Sequence, residues 1–309
     1  MPPKKKTGPK MLRSVPTSVT GARMTVEQEA SGLRLLYLDG HEQSEVQVLS
    51  NGELSPVQPL ELVQVMSLFS LAWLSGGTAG VEAPSVLLIG IGGGSIVRVL
   101  AGTLPPRGSV YSLDLEPEVV QAAVDFFAMP IVEGRSTAEA GDGAAHMRDY
   151  RARRAAGSVP GYDVLLLDAF TSEGLCASTQ RQSTLDDAAA CLSPGGLLLI
   201  NLHTGKKDDP DDDDYYVARR VLRALCQRFD AVYSFHCATT QNIIGVCHNG
   251  DFLDAGAWES RLDATFARAD VRPCMPVGLQ LAPMMERLEF MGGKAEPMAD
   301  ERGVGELKK

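Results

Sequence analysis

From residue 84 onward the chain alternates short, almost wholly apolar runs with stretches of helical period. The runs are V86-L-L-I89, S109-V-Y-S-L-D114, Y162-D-V-L-L-L-D168, G196-L-L-L-I-N-L202, A231-V-Y-S-F235 and N242-I-I-G-V-C247, with amphipathic stretches at about 94–104, 117–128, 143–156, 181–192 and 215–229. Strands apolar on both faces must be covered on both faces, which means a mostly parallel sheet with helices on either side. The last two runs are separated by a few residues around Thr239, Thr240 and Gln241, too few for a helical crossover, so they pair antiparallel. The expected fold class is α/β: a Rossmann-like sheet of parallel strands ending in an antiparallel hairpin.

Ahead of the sheet, S31-G-L-R-L-L-Y-L-D-G40 and H41-E-Q-S-E-V-Q-V-L-S50 read as two strands around an Asp39-Gly40 turn. Pro59 to Leu74 has a helical apolar period with Pro in its first turn, and the small residues from Gly76 to Gly80 end it. Residues 1–30 show no clear period. The expected division is a disordered basic tail over 1–30, a β-hairpin and helix over 31–80, the main domain over 81–275, and a partly disordered C-terminal extension over 276–309.

Charge and composition remove several classes. The net charge is −10 and the pI about 5.1, against the clustered Lys and Arg that a broad nucleic-acid face needs. No apolar run reaches the ~18 residues of a membrane span. The start, MPPKKKTGPK, has no apolar segment behind it and is read as excluding an ordinary secretory signal. The six Cys form no C-x-x-C and no zinc spacing, so no metal site is expected. They read as small residues of a reducing compartment, the cytoplasm, with nucleus or organelle left open.

The first run ends in V86-L-L-I-G-I-G-G-G-S-I96. Ligands of open α/β sheets lie beyond the carboxyl ends of the strands, where Gly90, Gly92, Gly93 and Gly94 stand. Glycines there either bare the backbone to a nucleotide-type ligand or serve a tight structural turn. The second strand ends in LDLEP, from Leu113 to Pro117. Asp114, about 20 residues past the turn, is placed to take both hydroxyls of a ribose, or it is a helix N-terminal acid. In A140-G-D-G-A144, Asp142 either accepts from an adenine amine or caps the next helix. Asp168 closes the fourth strand on the same rim. Three successive carboxylates would repel a phosphorylated ligand. They suit one with a ribose, an adenine, an amine and a sulfonium cation: S-adenosylmethionine.

Together L36-Y-L-D-G-H-E-Q43, I89-G-I-G-G-G-S95, the LDLEP run from Leu113 to Pro117, G141-D-G143 and Y162-D-V-L-L-L-D-A-F170 resemble the spermidine synthases. They most nearly resemble the spermidine-synthase-like class I methyltransferases of the methyltransferase-like protein 13 group, over roughly 33–250. The resemblance implies a class I methyltransferase fold, S-adenosyl-L-methionine as cofactor, and a cofactor site of Gly90, Gly92, Gly93, Gly94, Asp114, Leu115, Asp142, Gly143 and Asp168. Three departures turn the reading from aminopropyl to methyl transfer. Thr171 stands where aminopropyltransferases carry a second Asp, Ser95 replaces the acid of G-G-G-D-G, and Glu61 lacks its aromatic neighbour.

Asp168 is the candidate for orienting the ligand or deprotonating an amine, and His203, in N201-L-H203, is a second candidate base or a structural residue. The acidic run Asp208–Asp214 reads as a solvated loop or as a dock for a cationic protein or amine. The hairpin region, by the same resemblance, is where a homodimer would form. The leading expectation is methylation of an amino group, Lys or N-terminus, of a protein. The alternatives are a polyamine aminopropyltransferase, an NAD(P)-binding oxidoreductase, and a catalytically inactive methyltransferase-fold partner subunit.

Overall fold

A computed structural model of the protein describes residues 8–76, 82–171, 174–203 and 213–295. It begins with four strands where one hairpin was expected: β1 (Lys10–Pro16), β2 (Arg23–Gln28), β3 (Leu33–Leu38) and β4 (His41–Gln47) form an antiparallel sheet in that order. The β3–β4 turn has φ of 48° at Asp39 and 79° at Gly40, the doubly left-handed geometry that Asp-Gly favours. The expectation of a disordered tail over 1–30 fails from Lys10 onward. Met24 and Val26 alternate inward from β2 and are fully buried with Leu36 and Val46, but two apolar residues are too short a period to announce a strand.

Helix α1 (Glu61–Gly76) follows, then β5 (Ser85–Ile89), α2 (Ser95–Thr103), β6 (Ser109–Asp114), α3 (Pro117–Phe127), β7 (Ser136–Ala140) and α4 (Gly143–Ala155). After β8 (Tyr162–Leu167) a short pairing of β9 (Phe170–Thr171) with β10 (Gly174–Leu175) leads into α5 (Gln182–Cys191) and β11 (Leu192–His203). Then come α6 (Asp213–Cys226), β12 (Ala231–His236), β13 (Asn242–His248), α7 (Ala255–Phe266), α8 (Leu281–Met285) and β14 (Leu288–Gly292).

The large sheet has the order β14-β12-β13-β11-β8-β5-β6-β7. From β7 to β11 its pairs are parallel; β13 runs antiparallel to both β11 and β12. That is the expected sheet, with β14 added antiparallel at the β12 edge, inside the segment expected to be a partly disordered extension. One face is covered by α1, α2 and α7 around Phe69, Leu100 and Trp258, the other by α4, α5 and α6 around Met147, Leu185 and Leu225. The chain winds from β5 out to β7, then returns to the other side of β5 with β8. The crevice where strand order reverses lies at the ends of β5, β6 and β8.

The four-stranded sheet is joined to this domain by packing on α3, through Val119, Ala122 and Phe127, and by carboxylates: Glu118 accepts from Ser18 N–H (3.1 Å), Asp125 from Arg13 (3.4 Å), and Glu116 is the buried one. Glu116 is buried and accepts from the backbone N–H of Val19 (3.0 Å) and Thr20 (2.8 Å) and from Thr17 Oγ1 (3.0 Å). Burial alone would raise its pKa, but the hydrogen bonds from Thr20, Val19 and Thr17 outweigh it and hold the carboxyl below its ordinary value.

Among the described residues no helix is long and apolar enough to cross a membrane, and no group of His, Cys, Asp and Glu could hold a metal ion. The acidic run 208–212 lies outside the described residues; Asp213 and Asp214 open α6.

Replacing Glu116 by Ala strands two backbone N–H donors at the join between the sheets. The expected cost is about 2–4 kcal/mol, read from urea unfolding, with amide exchange at Met24 and Val26 accelerating first. In the parent protein this contribution is present above the ordinary glutamate range and is lost as pH falls through the lowered pKa of the folded state; the loss should be absent from Glu116→Ala.

Candidate active site

A cavity of about 800 Å³ opens at the carboxyl ends of β5, β6, β8 and β11. The β3–β4 hairpin closes one side through His41, Glu42, Gln43 and Ser44, and the β12–β13 turn contributes Thr240 and Asn242. The N-terminal sheet is thus a wall of the site, a role the sequence reading did not give it.

The glycines divide into two groups. Gly90 and Gly92 line the cavity, as expected. A Cβ at Gly90 would lie 2.0 Å from the Asp168 carbonyl oxygen, and its φ of 93° is open to little else. Gly93 and Gly94 do not line the cavity. Gly93 donates its N–H to Ser44 Oγ (2.7 Å), and a Cβ at Gly94 would run into Met129 at 2.6 Å. Their expected place against a cofactor gives way to packing against β4 and the chain after α3. A run of three glycines cannot show which face each presents.

Asp114 braces the glycine turn: Oδ2 accepts from Ile91 N–H (2.8 Å) and Gly92 N–H (3.3 Å), and Oδ1 from Glu116 N–H (3.1 Å). Of the roughly four acceptor positions of a carboxylate, three are used. The two-hydroxyl role expected of it is thereby reduced to room for one hydroxyl in this arrangement. Desolvation raises its pKa against the pull of these donors. Leu115, next along, lines the cavity with 37% of its surface exposed, an apolar face turned to the open space. Asp142 caps α4, its Oδ1 accepting from Ala144 N–H (2.8 Å) and Ala145 N–H (3.3 Å), and also lines the cavity beside Gly143. The cap is realised, and it occupies one of the two carboxyl oxygens.

Asp168 follows β8 and is pinned by its own N–H to Ile89 O (2.8 Å). Its Oδ1 accepts from Asn201 Nδ2 (2.8 Å). Burial, with the charge of Asp114 adding to it and the Asn201 bond opposing, pushes its pKa up to about 7. His203 lines the cavity at the end of β11, in register with Asn242. Thr171, where a second acid was sought, lies in β9 paired with Gly174. Glu61 is not among the lining residues. It accepts from the N–H groups of Ala238 (2.6 Å) and Thr239 (2.9 Å) and pairs with Arg287 (2.6 Å), so it holds the β12–β13 turn.

The described lining residues include four acids, Glu42, Asp114, Asp142 and Asp168, and no Lys or Arg. The charged lining is thus acidic apart from its histidines. Cys176, Ser178 and Thr179, which the sequence reading passed over, extend its polar wall.

No family model matches the chain. A polyamine aminopropyltransferase of Chromobacterium violaceum is 32% identical over 123 residues, which are 40% of this chain and 43% of that protein. The chain thus matches less than half the length of this curated relative. Among solved structures, a probable spermidine synthase from Corynebacterium glutamicum superposes with a TM-score of 0.62 at 15% identity, over 97% of this chain and 98% of that one. Human methyltransferase-like protein 13, solved in complex with SAH, superposes with a TM-score of 0.57 at 19% identity, over 70% of this chain and 94% of that one. With its reversed strand order, its terminal antiparallel hairpin and the β-sheet ahead of it, the chain has the spermidine-synthase-like class I methyltransferase fold.

Proposed function

We propose that this protein is an S-adenosylmethionine-dependent methyltransferase acting on an amino group, of a protein Lys or N-terminus. The observation that carries the reading is the combination of an acid-lined cavity with Ser95 at the mouth of α2. Ser95 and Ile96 line the cavity as the first residues of that helix, whose first-turn N–H groups lack intrahelical acceptors. They suit the carboxylate that S-adenosylmethionine carries and its decarboxylated form lacks, and Ser95 adds no charge to repel it.

The cavity fits the cofactor by chemistry. Asp114 keeps an acceptor position for a ribose hydroxyl. Asp142 offers its uncapped oxygen to an adenine amine, and exposed Leu115 offers an apolar face to the ring. The Gly90 and Gly92 backbone lies open beside them. When bound, S-adenosylmethionine supplies a methyl group already activated by its sulfonium. Asp168 then has one task. With Oδ1 engaged by Asn201, its Oδ2 takes the proton of an incoming ammonium, and a carboxyl titrating near neutrality can both accept that proton and release it. Ser44 of β4, Leu62 and Val63 of α1, and Thr240 of the β12–β13 turn wall the same space. A cationic substrate is attracted by the acidic lining.

A second reading is aminopropyl transfer, favoured by the polyamine aminopropyltransferase similarity. Against it stand Thr171, Ser95 and the engagement of Glu61 by Arg287 and the turn.

Calorimetry separates the two. Binding of S-adenosylmethionine should saturate and weaken at least about tenfold, some 1.4 kcal/mol, in Asp114→Ala. Preference for the decarboxylated form would favour aminopropyl transfer, and binding of neither would leave a non-catalytic partner subunit. Methyl transfer to a Lys-rich protein should rise with pH through about 7, the Asp168 midpoint, because the base works ionised. Asp168→Asn should remove that inflection and lower the rate about 10²–10⁴-fold.

A further inference from the structure

Asp168 does not meet Asn201 alone. Asn201 is buried, and its own carbonyl Oδ1 accepts from Asn242 Nδ2 at 2.9 Å. The two amides stand in series: Asn242 donates to Asn201, and Asn201 donates to Asp168 at 2.8 Å. An amide presents a donor at one end and an acceptor at the other. Because Asn242 offers an N–H, Asn201 must turn its oxygen toward β13 and its NH₂ toward β8. The direction of the bond to Asp168 is therefore set from a residue that does not touch it.

We propose that Asn201 and Asn242 are positioning residues for Asp168, two amides in series that hold one carboxyl oxygen against the sheet and leave the other to carry the proton in the cavity. This rests on the reading of Asp168 as the base. Nothing in the expected site set included either residue, and their contact spans β11 and β13, 41 residues apart.

The far end of the series is itself held. Asn242 opens β13, and its backbone carbonyl accepts from Cys237 N–H (2.9 Å), closing the β12–β13 turn. The turn's Ala238 and Thr239 N–H groups are bound by Glu61, and Glu61 is fixed by Arg287 ahead of β14. A mobile turn would let the Asn242 amide leave Asn201, whose amide could then rotate and present oxygen to Asp168. Two oxygens facing each other would favour the protonated carboxyl. The other titratable groups facing this part of the cavity are Asp114 from β6, Asp142 at the start of α4, His203 from β11, His41 and Glu42 from β4, and Cys176 after β10. Of the side chains around Asp168, Asn201 supplies the hydrogen bond that favours its ionised form, while the charge of Asp114 disfavours it.

The test is a pH titration of the Asp168 carboxyl by carboxyl-carbon NMR on the full chain labelled at aspartate, its signal identified by loss in Asp168→Asn. A donor that favours the ionised form lowers a pKa, so removing it raises the midpoint. Asn201→Leu should shift the midpoint up by roughly one pH unit, and Asn242→Ala should shift it the same way by less. The pH at which turnover rises should move with it. A folded Asn242→Ala, judged by its thermal transition, with the wild-type midpoint would overturn the series; an unmoved midpoint in Asn201→Leu would overturn both assignments. If Asn201→Leu does not fold, Asn201→Ala is read by the same criterion. The titration needs neither cofactor nor substrate. Failure of the methyltransferase reading, seen as no binding of S-adenosylmethionine, is therefore distinguishable from failure of the series.

Discussion

The approach of Gly90 to the carbonyl of Asp168 governs the geometry of this molecule. At 2.0 Å from where a Cβ would stand, that carbonyl leaves room for hydrogen alone, and the Asp168 N–H returns the contact by bonding Ile89 O. The ends of β5 and β8 are thereby locked at the point where the sheet reverses its strand order. From this lock the glycine turn has one route, across the tip of β6. There Asp114 receives it through the N–H groups of Ile91 and Gly92. Two carboxylates, one on each side of β5, then share one small space. The cavity's electrostatics follow from that close packing.

Glu116 and Glu61 contrast with Asp168. Glu116 and Glu61 each collect several donors, and the donors outweigh burial and keep both below the ordinary carboxylate value. They join parts of the fold. Asp168 collects a single amide and sits beside another negative charge, so its proton is held until about pH 7. The fold satisfies Glu116 and Glu61 with several donors each and gives Asp168 a single amide.

What could be read in advance follows from range along the chain. The parallel strands and their helices were legible because each buries a long apolar run, and the short link between β12 and β13 gave their antiparallel pairing. Asp39-Gly40 specified its own turn. Helix α7 escapes a sequence reading because Trp258, Leu262 and Thr265 carry its buried face with few apolar residues between them. β1 and β2 escape it because their stability comes from β3 and from Glu116, which lies 96 residues beyond Thr20. At the site, Asp114, Asp142 and Asp168 could be placed by their position at strand ends. Ser44 meeting Gly93, and Asn242 meeting Asn201, are contacts between distant segments, and no local pattern encodes them. The same limit explains Gly93 and Gly94: their identity was plain, but their neighbours were set by β4 and Met129.

β14 has a consequence for the sheet's exposed rim. It runs antiparallel along β12, a strand whose residues from Ala231 to Phe235 are all buried, and it carries the exposed Glu289 and Phe290. A charged, short outer strand is how natural sheets refuse further pairing. Cut away that strand, and the hydrogen-bonding groups of β12 would be bared along an apolar edge, a template on which a second molecule could lay its own backbone. These five residues thus cover an edge that the β12 sequence alone would leave open.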